Sequence, residues 1–134
     1  MTNTKTIRIL DTTLRDGEQT PGVSLTADDK IEIAKQLSKL GVDTIEAGFP
    51  SSSEGELRVV KEIAHSGLSS EICALSRCTK GDIDAALACD VGLIHVFIPT
   101  SQVQMKHAVN LTPDQVLASA VESIEYIKKH GVRC

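Results

Sequence analysis

The stretch Asp11-Thr12-Thr13-Leu14-Arg15-Asp16-Gly17-Glu18-Gln19 puts a guanidinium, three carboxylates and an amide into nine residues. It follows directly on the aliphatic run at 6–11 (TIRILD). Such a set can hold an anionic or carbonyl substrate, because a guanidinium stays protonated and offers fixed donors to an oxyanion. Composition alone does not separate this from a solvated turn, since Asp-Gly is a common turn dipeptide. Two further residues weigh in favour of a site. In 43–48 (DTIEAG), alternation puts Thr44, Glu46 and Gly48 on one face and Ile45 and Ala47 on the other. A carboxylate inside a parallel strand is costly unless paired or near a metal, because both faces of such strands are normally covered. In 93–98 (LIHVFI), His95 shares a face with Leu93 and Phe97. A lone strand histidine is more often a hydrogen-bonded core residue than a ligand. Guanidinium, carboxylate and imidazole nevertheless fall at the same end of one expected sheet, and that convergence carries the argument.

The elements that must position these groups alternate regularly. Strand-length apolar runs lie at 6–11, 43–48, 71–76 and 93–98, with 132–134 opening a fifth. Stretches of helical period between them close at Gly41, Gly67, Gly92 and Gly131, each followed by an aliphatic residue that opens the next strand. Each helix opens on a hydroxyl three residues before an acid or amide: Thr26 with Asp29, Ser53 with Glu56, Thr79 with Asp82, and Thr112 with Gln115. Pro113 needs no N–H partner at a first helical position. Val116, Leu117, Ala120, Val121, Ile124 and Ile127 form one apolar stripe on the last helix, and Ile31, Ala34 and Leu37 do so on the first.

Serial strand–helix units imply a parallel sheet with right-handed crossovers. A doubly wound sheet would be complete at 134 residues. A (β/α)8 barrel needs about 250, so the chain would supply half of one. The ending Gly131-Val132-Arg133-Cys134 reads as a strand just begun and favours the barrel. The expectation is therefore an α/β chain forming the first half of a TIM (β/α)8 barrel, with residues 1–134 as one partial catalytic domain. Helices should cover one face of its sheet and aliphatic side chains the other. The apolar face and strand edges exposed by half a barrel would make the isolated piece associate.

Composition excludes several classes. Hydrophobic residues are 41% and charged residues 24%, close to a globular average, so wholesale disorder is not expected. Phe49, Phe97 and Tyr126 are the only aromatics, so the core must be aliphatic. A net charge of −4 with scattered Lys and Arg argues against a nucleic-acid or anionic-membrane surface. No apolar run approaches the ~20 residues that span a bilayer, and the polar start MTNTKT is unlike a signal peptide, which points to the cytoplasm. Cys73, Cys78, Cys89 and Cys134 show no zinc or disulfide spacing and read as small buried hydrophobes.

Leu14-Arg15-Asp16-Gly17-Glu18-Gln19, ten residues, then Lys30 resembles the signature of the 2-isopropylmalate synthase and homocitrate synthase family. These enzymes belong to the DRE-TIM metallolyases. The runs Gly41–Pro50, Cys73–Cys78 and Ile94–Ser101 resemble the second, third and fourth strands of the same family, so the resemblance covers essentially the whole chain. It implies that Asp16 is a ligand of a divalent cation (Mg, Mn or Zn) and that Arg15 stabilises developing oxygen charge. It places Gln19 and Glu46 near the metal, with Arg15 and Glu46 as the catalytic pair. His95 lines a 2-oxo-acid pocket, and Thr100 and Ser101 border it. Lys30 has a surface or structural role.

The implied reaction condenses acetyl-CoA with a 2-oxo acid: the thioester loses a methyl proton, its enolate attacks the ketone, and water releases CoA. By the Gly48-Phe49-Pro50 stretch the acid is 3-methyl-2-oxobutanoate and the product 2-isopropylmalate, in leucine biosynthesis. Citramalate and homocitrate synthases share the first loop, and a non-catalytic β/α module is the reading from another class. The resemblance further implies small-molecule substrates and a cytoplasmic homodimer at full length. The chain lacks the family's His-x-His pair, so by itself it is expected to be an inactive amino-terminal piece.

Overall fold

The computed structural model describes residues 6–134. Four parallel strands form one sheet in the order β1-β2-β3-β4: β1 (Leu10–Asp11), β2 (Thr44–Gly48), β3 (Glu71–Arg77) and β4 (Leu93–Phe97). Each strand lies beside its successor. That order excludes a doubly wound sheet, which would place strand 1 between later strands, and matches consecutive strands of a (β/α)8 barrel. Arg133 bridges Leu93 in parallel, and its carbonyl accepts from Ile94 N–H at 2.9 Å, so the chain begins a fifth strand on the expected side.

The first strand is shorter than the expected 6–11. Of the part described, only Leu10 and Asp11 are paired as strand; Ile9 instead donates its N–H to the Asp43 carboxylate at 2.7 Å.

Helices α1 (Ala27–Leu40), α2 (Glu54–Ala64) and α3 (Lys80–Leu87) follow β1, β2 and β3. After β4 comes a short α4 (Gln102–Gln104) that runs into a π-helical turn (Met105–Val109), then α5 (Pro113–Lys129). All four expected hydroxyl caps are made, by Thr26, Ser53, Thr79 and Thr112. Only Thr26–Asp29 and Thr112–Gln115 close as reciprocal boxes. Gly41 and Gly131 take the left-handed conformation that lets a helix end and the chain turn into the next strand. At the third junction that conformation falls on Asp90 (φ 57°), not on Gly92. Asp90 follows the helix closely enough to be the turning residue, and a short polar side chain tolerates the left-handed region.

The core lies between sheet and helices. Ile45, Ala47, Ile72, Ala74 and Ile94 of the strands meet Leu14, Ala34, Val60, Ile63, Ile83, Ala86 and Ile127, all buried. Full burial of each large aliphatic contributes roughly 1.5–3 kcal/mol. The alternate strand positions face away from the helices, and they are not uniformly aliphatic as expected: Thr44, Glu46, Cys73, Leu75, Leu93 and His95 are among them. The aliphatic residues are consumed on the helix side, which leaves the barrel-inner face free for polar groups. Leu117 and Val121 likewise stand exposed on α5, where Ser123 is buried instead, so the buried stripe is narrower than the apolar pattern. Cys73 and Cys89 are buried as expected, whereas Cys134 is exposed.

Candidate active site at the strand carboxyl ends

The loop after β1 is built by its own backbone. Leu14 is fully buried in the core and pins the loop down. The Thr12 carbonyl accepts from the N–H groups of Arg15, Asp16 and Gly17 at 3.1, 2.8 and 3.2 Å. Asp11 accepts from the Thr13 N–H at 2.9 Å, a side-chain turn that ends the strand. Arg15 therefore leaves a fixed base, and its guanidinium reaches back over the sheet.

There it meets Glu46. Arg15 Nε donates to Glu46 Oε2 at 2.7 Å, and His95 Nδ1 lies 2.6 Å from Glu46 Oε1. The Glu46 side chain has no exposed surface, Arg15 keeps 20% and His95 42%. A carboxylate that deep is tolerable only with such partners. Three separate β/α units contribute one group each, and the register brings them side by side: Glu46 pairs with Cys73 of β3, and Leu75 of β3 pairs with His95. A register shift between Glu46 and Gly48 bends the end of β2 beyond the pair. Burial, with the Glu46 charge next to it, pushes the neighbouring Cys73 thiol up to about 12.

Asp16 is tied to the same guanidinium, accepting from Arg15 Nη1 at 3.0 Å, and is 64% exposed. An exposed carboxylate at a strand end is a suitable hard oxygen donor for a divalent cation. One donor is not a site, however: among the described residues no group of three His, Cys, Asp or Glu side chains could hold a metal ion. Gln19 is exposed on the rim, where it lines a hollow with Arg15, Glu18, Phe49, Ser52, Glu56 and Leu75. Thr100 is exposed beyond β4 and takes no part in the Arg15–Glu46–His95 cluster. Ser101 caps α4, accepting from Gln104 N–H at 3.3 Å.

A family model described as HMGL-like matches residues 6–134. The chain belongs to the HMGL-like family. Among curated proteins it is 57% identical over 129 residues to the probable 2-isopropylmalate synthase of Archaeoglobus fulgidus, covering 96% of this chain and 26% of that protein. It is 55% identical over 126 residues to the (R)-citramalate synthase of Methanocaldococcus jannaschii, covering 94% and 26%. To the 2-isopropylmalate synthase of the same organism it is 54% identical over 127 residues, covering 95% and 24%. The chain thus spans about a quarter of the length of these relatives. The crystal structure of hydroxymethylglutaryl-CoA lyase from Pseudomonas aeruginosa matches with a TM-score of 0.76 at 28% identity, over 95% of this chain and 44% of that one. The HMG-CoA lyase of Bacillus subtilis matches with a TM-score of 0.79 at 22% identity over 96% and 45%, a likeness of fold. The four parallel β/α units of this HMGL-like chain are a partial TIM barrel.

Two ion-pair systems beside the cluster were not foreseen as such. Lys30 is buried and its Nζ lies 2.6 Å from both Glu18 Oε2 and Glu56 Oε2. Burial alone would lower its pKa, but hydrogen bonds to the two carboxylates outweigh burial and hold it above the ordinary lysine value. At the end of β3, Arg77 makes a two-pronged contact to Asp82 at 2.6 and 3.0 Å and stacks over the Phe49 ring. Hydrogen bonds from Arg77 hold the Asp82 carboxyl below the usual range. Glu56 and Asp82 both looked like capping residues. The spacing that marks a cap is the same whether the side chain turns back to the cap or reaches across to another element.

Proposed function

We propose that the protein containing these residues is a synthase that condenses acetyl-CoA with a 2-oxo acid, with 3-methyl-2-oxobutanoate as the acid and 2-isopropylmalate as the product of a leucine-forming route. The observation that carries this reading is the Arg15 guanidinium held by a buried glutamate beside His95 at the strand carboxyl ends. The names of the relatives support it: they are 2-isopropylmalate and citramalate synthases at more than half identity.

Arg15 uses Nε on Glu46 and Nη1 on Asp16, so further N–H donors of its fork remain for substrate oxygen. Aimed at the ketone oxygen, they stabilise the alkoxide that forms as the enolate carbon bonds to the carbonyl carbon. Glu46 is shut off from solvent, so its part is to hold Arg15 and His95 in place. An ionised carboxylate only accepts, so His95 Nδ1–H is then the donor, and Nε2 faces the pocket as an acceptor, able to take a hydrogen bond from a bound water but not from the acceptor-only oxygens of the 2-oxo acid. In this reading Gln19 on the rim and Thr100 after β4 bind substrate, as the family resemblance implies. Asp16 offers one oxygen to a divalent cation (Mg, Mn or Zn), which when bound would polarise the ketone. The described residues do not complete that shell. The reading carries with it a cytoplasmic homodimer acting on small molecules.

The test is release of the CoA thiol by the full-length protein from acetyl-CoA and a panel of 2-oxo acids, with the product weighed by mass spectrometry. The expected result is release with 3-methyl-2-oxobutanoate above the others. Preference for pyruvate would make the product citramalate. No release with any 2-oxo acid would refute the synthase reading.

A further inference from the structure

The Lys30 system links α1, the loop after β1 and the start of α2. Lys30 stands in the first turn of α1, with only 4% of its side chain exposed. One partner, Glu18, lies in the loop three residues beyond Arg15. The other, Glu56, lies in the first turn of α2. The Glu56 backbone takes the Ser53 cap, but its side chain does not return to Ser53. Its Oε1 instead accepts from the Phe49 N–H at 3.2 Å, immediately after β2, while Oε2 meets Lys30. Gly48 makes this approach possible, since a Cβ there would lie 2.0 Å from Glu56 Oε1. The chain of contacts therefore runs from the Arg15 loop through one ammonium to the end of the strand that carries Glu46.

Two carboxylates on one buried ammonium are poor value as stabilisation, since desolvation cancels much of the attraction. Their effect is geometric. The loop is also tied by the buried Leu14 and the Thr12 carbonyl, both on the amino-terminal side of Arg15, and by the Arg15 guanidinium itself on Glu46. Beyond Arg15 the turn's own backbone bonds, Gln19 N–H to the Asp16 carbonyl and Thr20 N–H to the Gly17 carbonyl, stay within the loop, and Glu18 supplies the side-chain tie from that stretch to other elements, through Lys30. We propose that Lys30 is a positioning residue which, through Glu18 and Glu56, locks the Arg15–Asp16 segment against the end of β2. The turnover arm of its test rests on the synthase reading, and the exchange arm does not.

Glu18→Ala in the full-length protein cuts the loop tie and leaves Lys30 paired with Glu56, so the fold survives even if Lys30→Met does not fold. Amide exchange at Arg15, Asp16 and Gly17, whose N–H groups bond to Thr12, is expected to quicken about tenfold while exchange in α1 and β2 is unchanged. A role in stability alone would raise exchange everywhere. Turnover is expected to fall by about 10–100-fold, the scale of a small misplacement of catalytic groups, at unchanged folded fraction by circular dichroism. Where Lys30→Met folds, adding it to Glu18→Ala should lower turnover little further, since both cut one connection. Unchanged exchange at residues 15–17 overturns the lock. Faster exchange with turnover within about twofold of wild type overturns the positioning role. If the wild-type protein shows no condensation, the synthase reading has failed, and the exchange result alone decides whether the lock exists.

Discussion

Replacing Glu46 separates what its shape does from what its charge does. The carboxylate is wholly buried, accepts from Arg15 Nε at 2.7 Å and lies 2.6 Å from His95 Nδ1. In Glu46→Gln the amide oxygen still accepts from Arg15, and the amide NH2 can donate to His95 Nδ1 once the ring hydrogen moves to Nε2. Both contacts survive, the one to Arg15 with a single charged end and the one to His95 with none. Hydrogen bonds to charged groups contribute ~1.5–3 kcal/mol and neutral ones ~0.5–1.5, so a full exchange at His95 and a partial one at Arg15, which keeps its own charge, cost about 2 kcal/mol, partly offset because no carboxylate charge is buried. The expected net loss is about 1–2 kcal/mol. Glu46→Ala leaves the Arg15 guanidinium without its main partner over a cavity, and about 3–5 kcal/mol is expected. Urea unfolding of the full-length protein gives the two losses. Long-range nitrogen–proton correlation spectra give the His95 tautomer. Turnover of Glu46→Gln should fall although its fold is kept, because Nε2 has changed from acceptor to donor. Equal losses for the two variants, or a His95 tautomer that does not respond, would refute the account of Glu46 as the shared acceptor.

Arg15→Lys keeps the charge, but one ammonium cannot reproduce the separate Nε and Nη1 contacts, so turnover should drop by about two orders of magnitude or more in the thiol-release assay. Asp16→Ala should abolish turnover while leaving the circular-dichroism spectrum and melting point close to wild type, because this carboxylate is 64% exposed and outside the core. The Asp82 carboxyl titrates below its ordinary value because Arg77 hydrogen-bonds its charged form. The pair therefore stabilises the fold above the unfolded carboxylate value of about 4 and loses that effect as pH falls through the lowered native value. Asp82→Asn should flatten the stability–pH curve in that acid window and nowhere else, as read by urea midpoints.

Much of the fold was legible because backbone constraints are written locally. Hydroxyls at Thr26, Ser53, Thr79 and Thr112 each cap the helix they precede. The strand runs at 43–48, 71–76 and 93–98 form β2, β3 and β4 within a residue of their expected limits. Strand order was legible only as a choice between two architectures, because sequential pairing is a tertiary fact that no single segment carries. The misread positions share a cause. Gly92, Leu117 and Val121 were assigned from residue type, and type states what a position permits. Asp90 took the turn before Gly92 could, and α5 has a partner for only part of its apolar stripe.

The site divides along the same line. Alternation set Glu46 opposite Ile45 and Ala47 within its strand and grouped His95 with Leu93 and Phe97 within its own, and the direction of a parallel sheet put the Arg15 loop at the same end. Those two facts determine that the groups converge, and the 2.6 and 2.7 Å contacts follow once the loop folds back. The support around them was not legible, for a physical reason. Lys30 sits on a helix whose surface pattern makes a lysine unremarkable, and Glu56 satisfies the spacing of a cap. Only the close approach at Gly48 turns Glu56 toward Phe49 and Lys30, and that approach depends on how α2 packs against β2. Groups that contact substrate must stand at strand ends, where sequence period and chain direction locate them. Groups that hold those residues still can come from any element that packs nearby. The outer layer of such a site is therefore specified by packing, and a one-dimensional pattern is silent about it.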